Sequence, residues 1–404
     1  MHRIGWFTIV LVVAAATVAT GDSVEDFVRR HWRAPLPPQG PAPERFTPVE
    51  ASLAPEACGT CHPVQLADWK TSLHATSMGP GVSGQLADML RHDPASAVSC
   101  YRCHAPLAEQ RPLLATRTGT APNPAHDASL SPRGVVCAAC HVRAHERFGP
   151  PRRDGTVANP GPRETLPHGG ATRTSAFLRS EFCRSCHQFR GDGFALNGKL
   201  LENTYEEWKA SRYAREGTQC QDCHMPDRRH VWRGIHDRDM VRSGVTITLS
   251  PTEPRVRAGQ AVDLTLKLQN TGVGHAFPTY VTPRVVMRAE LVDAAGTIVA
   301  GTRMERTIER AVETDLSKQI RDTRLLPGRV ASLVYRRRVP PQAATLRVRV
   351  IVEPDAFYTR FFDTVLKENI AEMGAGRGRA QIAEALADTR RSPFTLYERD
   401  LPVR

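Results

Sequence analysis

All ten cysteines of this 404-residue chain fall into five copies of Cys-x-x-Cys-His. They are Cys58, Cys61 and His62; Cys100, Cys103 and His104; Cys137, Cys140 and His141; Cys183, Cys186 and His187; and Cys220, Cys223 and His224. This spacing is the attachment signal for c-type haem. The two thiols add to the porphyrin vinyl groups, and the adjacent histidine becomes the proximal iron ligand. A zinc knuckle does not need a histidine after every cysteine pair, and a thioredoxin-like redox motif occurs once. The motif starts are 42, 37, 46 and 37 residues apart, an array with irregular spacers rather than a tandem repeat. The expected cofactors are therefore five covalently bound haem c groups, each with its iron.

The pattern also constrains the fold. Residues 55–242 hold every motif and have few long apolar runs, while their spacers are rich in Gly, Pro and Arg. Such a segment cannot assemble an ordinary apolar core, so the porphyrins must supply the missing bulk. It is expected to be unfolded without haem. Before it, residues 22–54 are Pro-rich and read as an extended lead-in. Residues 1–21 combine a basic start, an apolar run from Ile4 to Ala19 and a small-residue end, the pattern of a cleaved export signal. The run is short for a membrane span, which needs about 20 apolar residues. A periplasmic or cell-surface location is expected, with no transmembrane segment after cleavage.

From residue 243 the period becomes two. Val262, Leu264, Leu266 and Leu268 alternate, as do Leu346, Val348, Val350 and Val352. Residues 243–353 read as an immunoglobulin-like antiparallel β-sandwich. The tail, 354–404, reads as helical, with Phe357, Phe361 and Val365 on one face. The fold class is α+β: a mostly helical and irregular pentahaem domain, a β-sandwich and a helical tail. Inside the haem domain, Thr204 and Glu207 have capping-box spacing. Trp69 and Trp208 open similar Trp-Lys-x-Ser segments.

The net charge of +12 invites a nucleic-acid reading. The propionates of five haems would offset most of it, so the arginines are expected to pair with them. The partners expected are redox proteins, not nucleic acid, with homo- or hetero-oligomers open. Arg152-Arg153 and Arg228-Arg229 are two clusters that could instead steer small anions.

The sixth iron ligand decides the chemistry. A second histidine closes the iron for electron transfer; an open position admits a small molecule. Outside the motifs the mature chain has His31, His74, His92, His126, His145, His168, His230, His236 and His275. The candidates favoured as metal ligands are His74, His145, His168, His236 and His275. His74 follows a helical turn after the first motif. His145 lies four residues beyond His141, on the same face of a continued helix. His168 sits in a Gly-rich stretch, and His236 is preferred over His230 because Gly234 precedes it. His275 is flanked by Gly272 and Gly274 on a loop free to bend toward another domain. His31, His92 and His126 read as solvated. Met78, Met225 and Met240 are possible thioether ligands.

Cys58-Gly-Thr-Cys61-His62 with Trp69-x-x-Ser72-x-His74, and Cys220-Gln-Asp-Cys223-His224-Met225-Pro226, resemble multihaem cytochromes of the cytochrome c-554 and hydroxylamine-oxidoreductase-like group. Gly274-His275-Ala276-Phe277-Pro278-Thr279 resembles the loop of multihaem cytochromes with a C-terminal β domain. The likeness spans roughly residues 55–352. It implies closely stacked haems, with His74, His145 and His275 ligating haems other than the nearest in sequence. Pentahaem nitrite reductases carry lysine for one motif histidine, whereas all five positions here are histidine. Hydroxylamine oxidoreductases carry more haems. The expected function is electron carriage through mostly bis-histidine haems, with no catalytic residue assigned. The competing reading is an oxidoreductase with one open haem acting on a small nitrogen or sulfur oxyanion.

Overall fold

The computed structural model describes residues 23–191 and 193–404. The expected export signal, 1–21, lies outside the described residues. Among the described residues no helix is long and apolar enough to cross a membrane.

The N-terminal half is built of short helices and turns. Two motifs occupy a single helical turn, Cys137–His141 and Cys220–His224, and the second closes the longer helix Pro94–His104; the fourth runs from the N-cap Cys183 through Arg184–His187, and the first starts in the helix Pro55–Gly59 and continues past its end. This is the geometry the motif requires, because residues i, i+3 and i+4 share one helical face. The lead-in is less extended than its prolines suggest. Val24–His31 forms a helix capped by the Ser23 hydroxyl and buries Phe27, Val28 and His31 against Ala176 and Phe182.

The C-terminal half holds two antiparallel sheets. Strands β1 (Val245–Ser250), β2 (Ala261–Asn270), β3 (Arg284–Val292), β4 (Met304–Val312), β5 (Gln319–Asp322), β6 (Val330–Arg338), β7 (Thr345–Glu353) and β8 (Phe394–Pro402) follow in chain order. One sheet has the order β5-β4-β3-β7-β8, the other β6-β2-β1. Their facing side chains, Leu264, Leu266 and Leu268 with Met287, Val348 and Val350, form one apolar core. The alternation along β2 and β7 is the period that burying one face of a sheet demands. The tail departs from its helical reading at the end. After helices Ala356–Lys367 and Arg379–Arg391, β8 pairs with β7 and completes the larger sheet.

The two halves are clamped by charge and hydrogen bonds. Glu207 does not close a capping box on Thr204: the helix Thr204–Lys209 has no side-chain cap. Its carboxylate is taken by Arg324, 3.2 Å away, and by the Ala276 amide at 3.2 Å. Arg324 in turn holds Asp322 at 2.8 Å.

Candidate haem sites

The helix Pro63–Lys70, just after the first motif, organises distant segments. Asp68 accepts two hydrogen bonds from the Arg229 guanidinium, 2.7 and 2.5 Å, and one from the His230 amide at 3.0 Å. Trp69 donates its indole N–H to the Val135 carbonyl at 2.8 Å. Trp208 donates likewise to the Thr218 carbonyl at 3.0 Å. Both carbonyls stand two residues before the first cysteine of a motif. The echo between the two Trp-Lys-x-Ser segments is thus a shared way of pinning the chain ahead of Cys137 and Cys220.

Three motif histidines face a second histidine. The ring centres of His74 and His187 are 6.2 Å apart, those of His141 and His230 6.2 Å, and those of His224 and His275 6.3 Å. Two metal–nitrogen bonds of about 2 Å, plus about 1.2 Å from each nitrogen to its ring centre, give about 6.4 Å. The spacing is that of two imidazoles on opposite sides of one metal ion.

Hydrogen bonds sort the rings further. Nδ1–H of His141 donates to the Phe148 carbonyl (2.8 Å), His224 to Arg233 (2.7 Å), His230 to Arg228 (3.1 Å) and His275 to Ala276 (3.0 Å). His104 donates to Ser77 (2.8 Å) and His168 to Gly170 (3.0 Å). A carbonyl only accepts, so the proton sits on Nδ1 and the Nε2 lone pair is free. That is the tautomer an iron ligand needs, fixed by its backbone partner. Burial keeps the rings neutral: it is the main cause that holds His74 at about 3 and His141 and His275 at about 4, with neighbouring histidines adding to it.

His168 enters by the same criterion. Its backbone is left-handed (φ 42°), its amide is anchored on Glu50 at 2.6 Å, and His62 is among its charged neighbours. No second histidine ring stands opposite His104 among the described residues; burial, the largest cause, depresses its pKa, and its only other recorded influence is the Ser77 carbonyl.

Two favoured candidates do not reach a motif histidine. The helix carrying His141 ends there, and Ala144 and His145 adopt positive φ (47° and 59°) in the hairpin between Val142–Arg143 and Glu146–Gly149. His145 therefore turns away and spends Nε2 on the Gly40 carbonyl at 3.0 Å. His236 lies at the surface, where Nε2 meets the Asp355 carboxylate at 3.0 Å. His230 takes the place expected of it, because Asp68 fixes the preceding Arg229 and the His230 amide together. The spacing of glycines could not reveal that partner; an acidic residue on the helix after the first motif was the only signal. His31 is buried rather than solvated, with Nε2 on the Cys140 carbonyl at 2.8 Å among Phe27, Phe148 and Phe177. His126 likewise has a buried Nε2.

The glycines beside His275 serve close packing. A Cβ on Gly272 would stand 2.6 Å from the Ser243 carbonyl oxygen, and one on Gly274 3.3 Å from Trp208. Neither glycine has positive φ. The paired arginines are also committed: Arg153 to Asp227, Arg229 to Asp68, and Arg228 to the Pro151 carbonyl.

All ten cysteines are free thiols. Three pairs from different motifs stand side by side: Cys58 with Cys137, Cys103 with Cys186, and Cys183 with Cys220. Free thiols in pairs i, i+3 on helical turns, with neutral histidines presenting Nε2, fit haem c. The residues that would hold it are the five motifs, with His74, His168, His230 and His275 as candidate second ligands.

The family described as cytochrome c554 and c-prime matches residues 57–142, which span the first three motifs. No curated protein matches the chain. Among solved structures, the chain is similar to a penta-heme cytochrome c552 from Thermochromatium tepidum, at 19% identity over 88% of this chain and 100% of that one, with a TM-score of 0.58. That likeness shows a shared fold. A CARDB domain from Pyrococcus furiosus matches at 15% identity over 27% of this chain and 67% of that one, but its TM-score of 0.16 carries no argument. The family match and the shared fold support a multihaem c-type cytochrome with covalently bound haem c.

Proposed function

We propose that the chain is an exported pentahaem cytochrome that carries electrons between redox proteins. The observation that carries this reading is the three histidine pairs at iron-spanning distance. Haem c held at the five motifs supplies reversible one-electron chemistry. The protein's part is to saturate the irons and bring the sites together. His74 serves the fourth motif, His230 the third and His275 the fifth; His168 serves the first. Each distal histidine comes from a segment remote from the motif it faces, so the haem domain closes only as a whole. The adjacent thiols support an order in which the fourth motif is central, next to the second and fifth. The third also adjoins the fourth, through Cys140 and Cys183, and leads on to the first. The two sheets are read as an immunoglobulin-like sandwich that presents His275.

Mass measurement of the exported holoprotein should show five haems, and its reduced spectrum should have sharp low-spin c-type bands. A protein with fewer haems, or one that no small redox protein can oxidise or reduce, would defeat the reading.

The second reading, an oxidoreductase with one open haem, is favoured at one place. Among the described residues, His104 is the motif histidine with no other histidine facing it or beside it. An activity there would rest on what surrounds its other side.

A further inference from the structure

The lead-in and the segments ahead of two motifs enclose a cavity of about 340 Å³. Residues 51–54, on one wall, run into the helix that carries Cys58, and Leu130 and Arg133, on another, precede Cys137. No cysteine or histidine of a motif lines it, and neither does His74, His168, His230 or His275. The cavity therefore lies apart from the residues that would hold haem.

Two consecutive residues of the lead-in organise it. The Gln39 amide donates to Oε1 of Glu109 at 2.6 Å, and the Gly40 carbonyl accepts from Nε2–H of His145 at 3.0 Å. A carbonyl only accepts, so the neutral His145 ring keeps a lone pair on Nδ1. Each side chain is thus half committed to the lead-in, with its other polar atom left over. Those atoms, Oε2 of Glu109 and Nδ1 of His145, are buried and have no hydrogen-bond partner among the described residues; the same is true of Oε1 and Nε2 of the Gln39 side chain. Gln39 is 5% exposed and His145 6%. Buried polar atoms are nearly always paired. Four open ones, on three residues lining one cavity, mark a place built for a ligand. The space is far larger than a single water needs and falls in the range of small-molecule sites.

The four atoms specify the ligand. Three accept: Glu109 Oε2, Gln39 Oε1 and His145 Nδ1. One donates: Gln39 Nε2. A primary ammonium group carries three N–H donors and no acceptor, which matches the three acceptors. The charge agrees. Arg111, beside Glu109, spends its guanidinium on the carbonyls of Leu36 and Leu107. Arg133, at the rim, is held by Glu56 at 2.6 Å, while Asp127 adds a second carboxylate to the lining. A metal ion would need its ligands about 2 Å from one point. Among the described residues no three His, Cys, Asp or Glu side chains are so placed. N–H donors at hydrogen-bond length reach further.

We propose that this cavity binds a small primary ammonium compound bearing one hydrogen-bond acceptor, of the amino-alcohol class. The ammonium donates to Glu109, Gln39 and His145, and Nε2 of Gln39 donates to the ligand's oxygen. The site stands independently of the electron-carrier reading, since the ligand meets no iron.

The probe is ethanolamine, titrated by calorimetry into the holoprotein near neutral pH, where the amine is protonated. One molecule should bind per chain. Choline, whose nitrogen has no N–H, and ethylene glycol, which has no charge, should each bind at least about tenfold more weakly, as loss of a hydrogen bond to a charged group does. Glu109→Gln keeps an oxygen for the Gln39 amide and should keep the haem content and low-spin spectrum, yet weaken ethanolamine binding about tenfold or more. Gln39→Met, which leaves the backbone amide on Glu109, should weaken it as well and serves as the second variant if Glu109→Gln loses haem. No binding of ethanolamine, choline bound as tightly, or an affinity unchanged in a folded variant would overturn the proposal. None of these results would alter the haem count.

Discussion

The ring of His275, on a loop of the β domain, faces the ring of His224 in the fifth motif at 6.3 Å and 13°. The Ala276 amide on Glu207 and the Asn270 side chain on the His275 carbonyl (3.0 Å) hold the loop in place. The β domain thereby reaches the fifth motif. Replacing His275 with Ala should add one high-spin iron to the magnetic resonance spectrum while leaving five haems attached. An unchanged spin count would remove His275 from the coordination sphere.

His230 and His236 should separate cleanly. His230→Ala should convert one low-spin iron to high-spin. His236→Ala should leave every iron unchanged and cost at most about 1 kcal/mol, the worth of a half-exposed ion pair with Asp355. The reverse pattern would return His236 to the iron.

Trp232 stands edge-on to both His74 (4.7 Å, 69°) and His230 (5.1 Å, 89°), the distal candidates for the fourth and third motifs. Trp232→Ala should loosen both rings at once and broaden or split two low-spin signals. Disturbance of neither would show that backbone hydrogen bonds alone set the rings.

Asp322 predicts a pH dependence. Burial works against its ionisation, but Arg324 at 2.8 Å, with Lys199 at 3.3 Å, outweighs burial and holds its carboxyl at about 2, below its ordinary 3.8. Between those values the unfolded chain binds more protons than the folded one. The stabilisation is complete above about pH 4 and is lost as pH falls toward 2, about 2 kcal/mol in all. Denaturant midpoints at pH 6 and pH 3 should differ in the wild type, and Asp322→Asn should flatten the difference.

Removing haem should affect the halves unequally. The β domain has its own core around Leu266, Leu268 and Val350, whereas the haem domain's apolar clusters are small and scattered. Protein made without haem attachment should lose the helical signal of residues 55–242 and retain a cooperative β transition. A fully folded haem-free chain would contradict this.

Several features were readable directly. The alternation of Val262, Leu264, Leu266 and Leu268 required a strand with one buried face, because side chains in a strand point to opposite sides in turn. Cysteine and histidine at i, i+3 and i+4 required a helical turn. Extending that turn from His141 to His145 was reasonable by period, yet two residues of positive φ reverse the chain there. The pairing of Thr204 with Glu207 obeyed the spacing of a cap, but a buried arginine more than a hundred residues later claimed the carboxylate. In both cases a long-range partner outweighed a local preference.

The sequence alone determined the cofactor chemistry and the proximal side of each iron, because thioether attachment and the adjacent histidine are set by residues a few positions apart. Which remote histidine faces which motif was decided only by the tertiary structure. His74 meets His187, His230 meets His141 and His275 meets His224 across separations that no local period encodes.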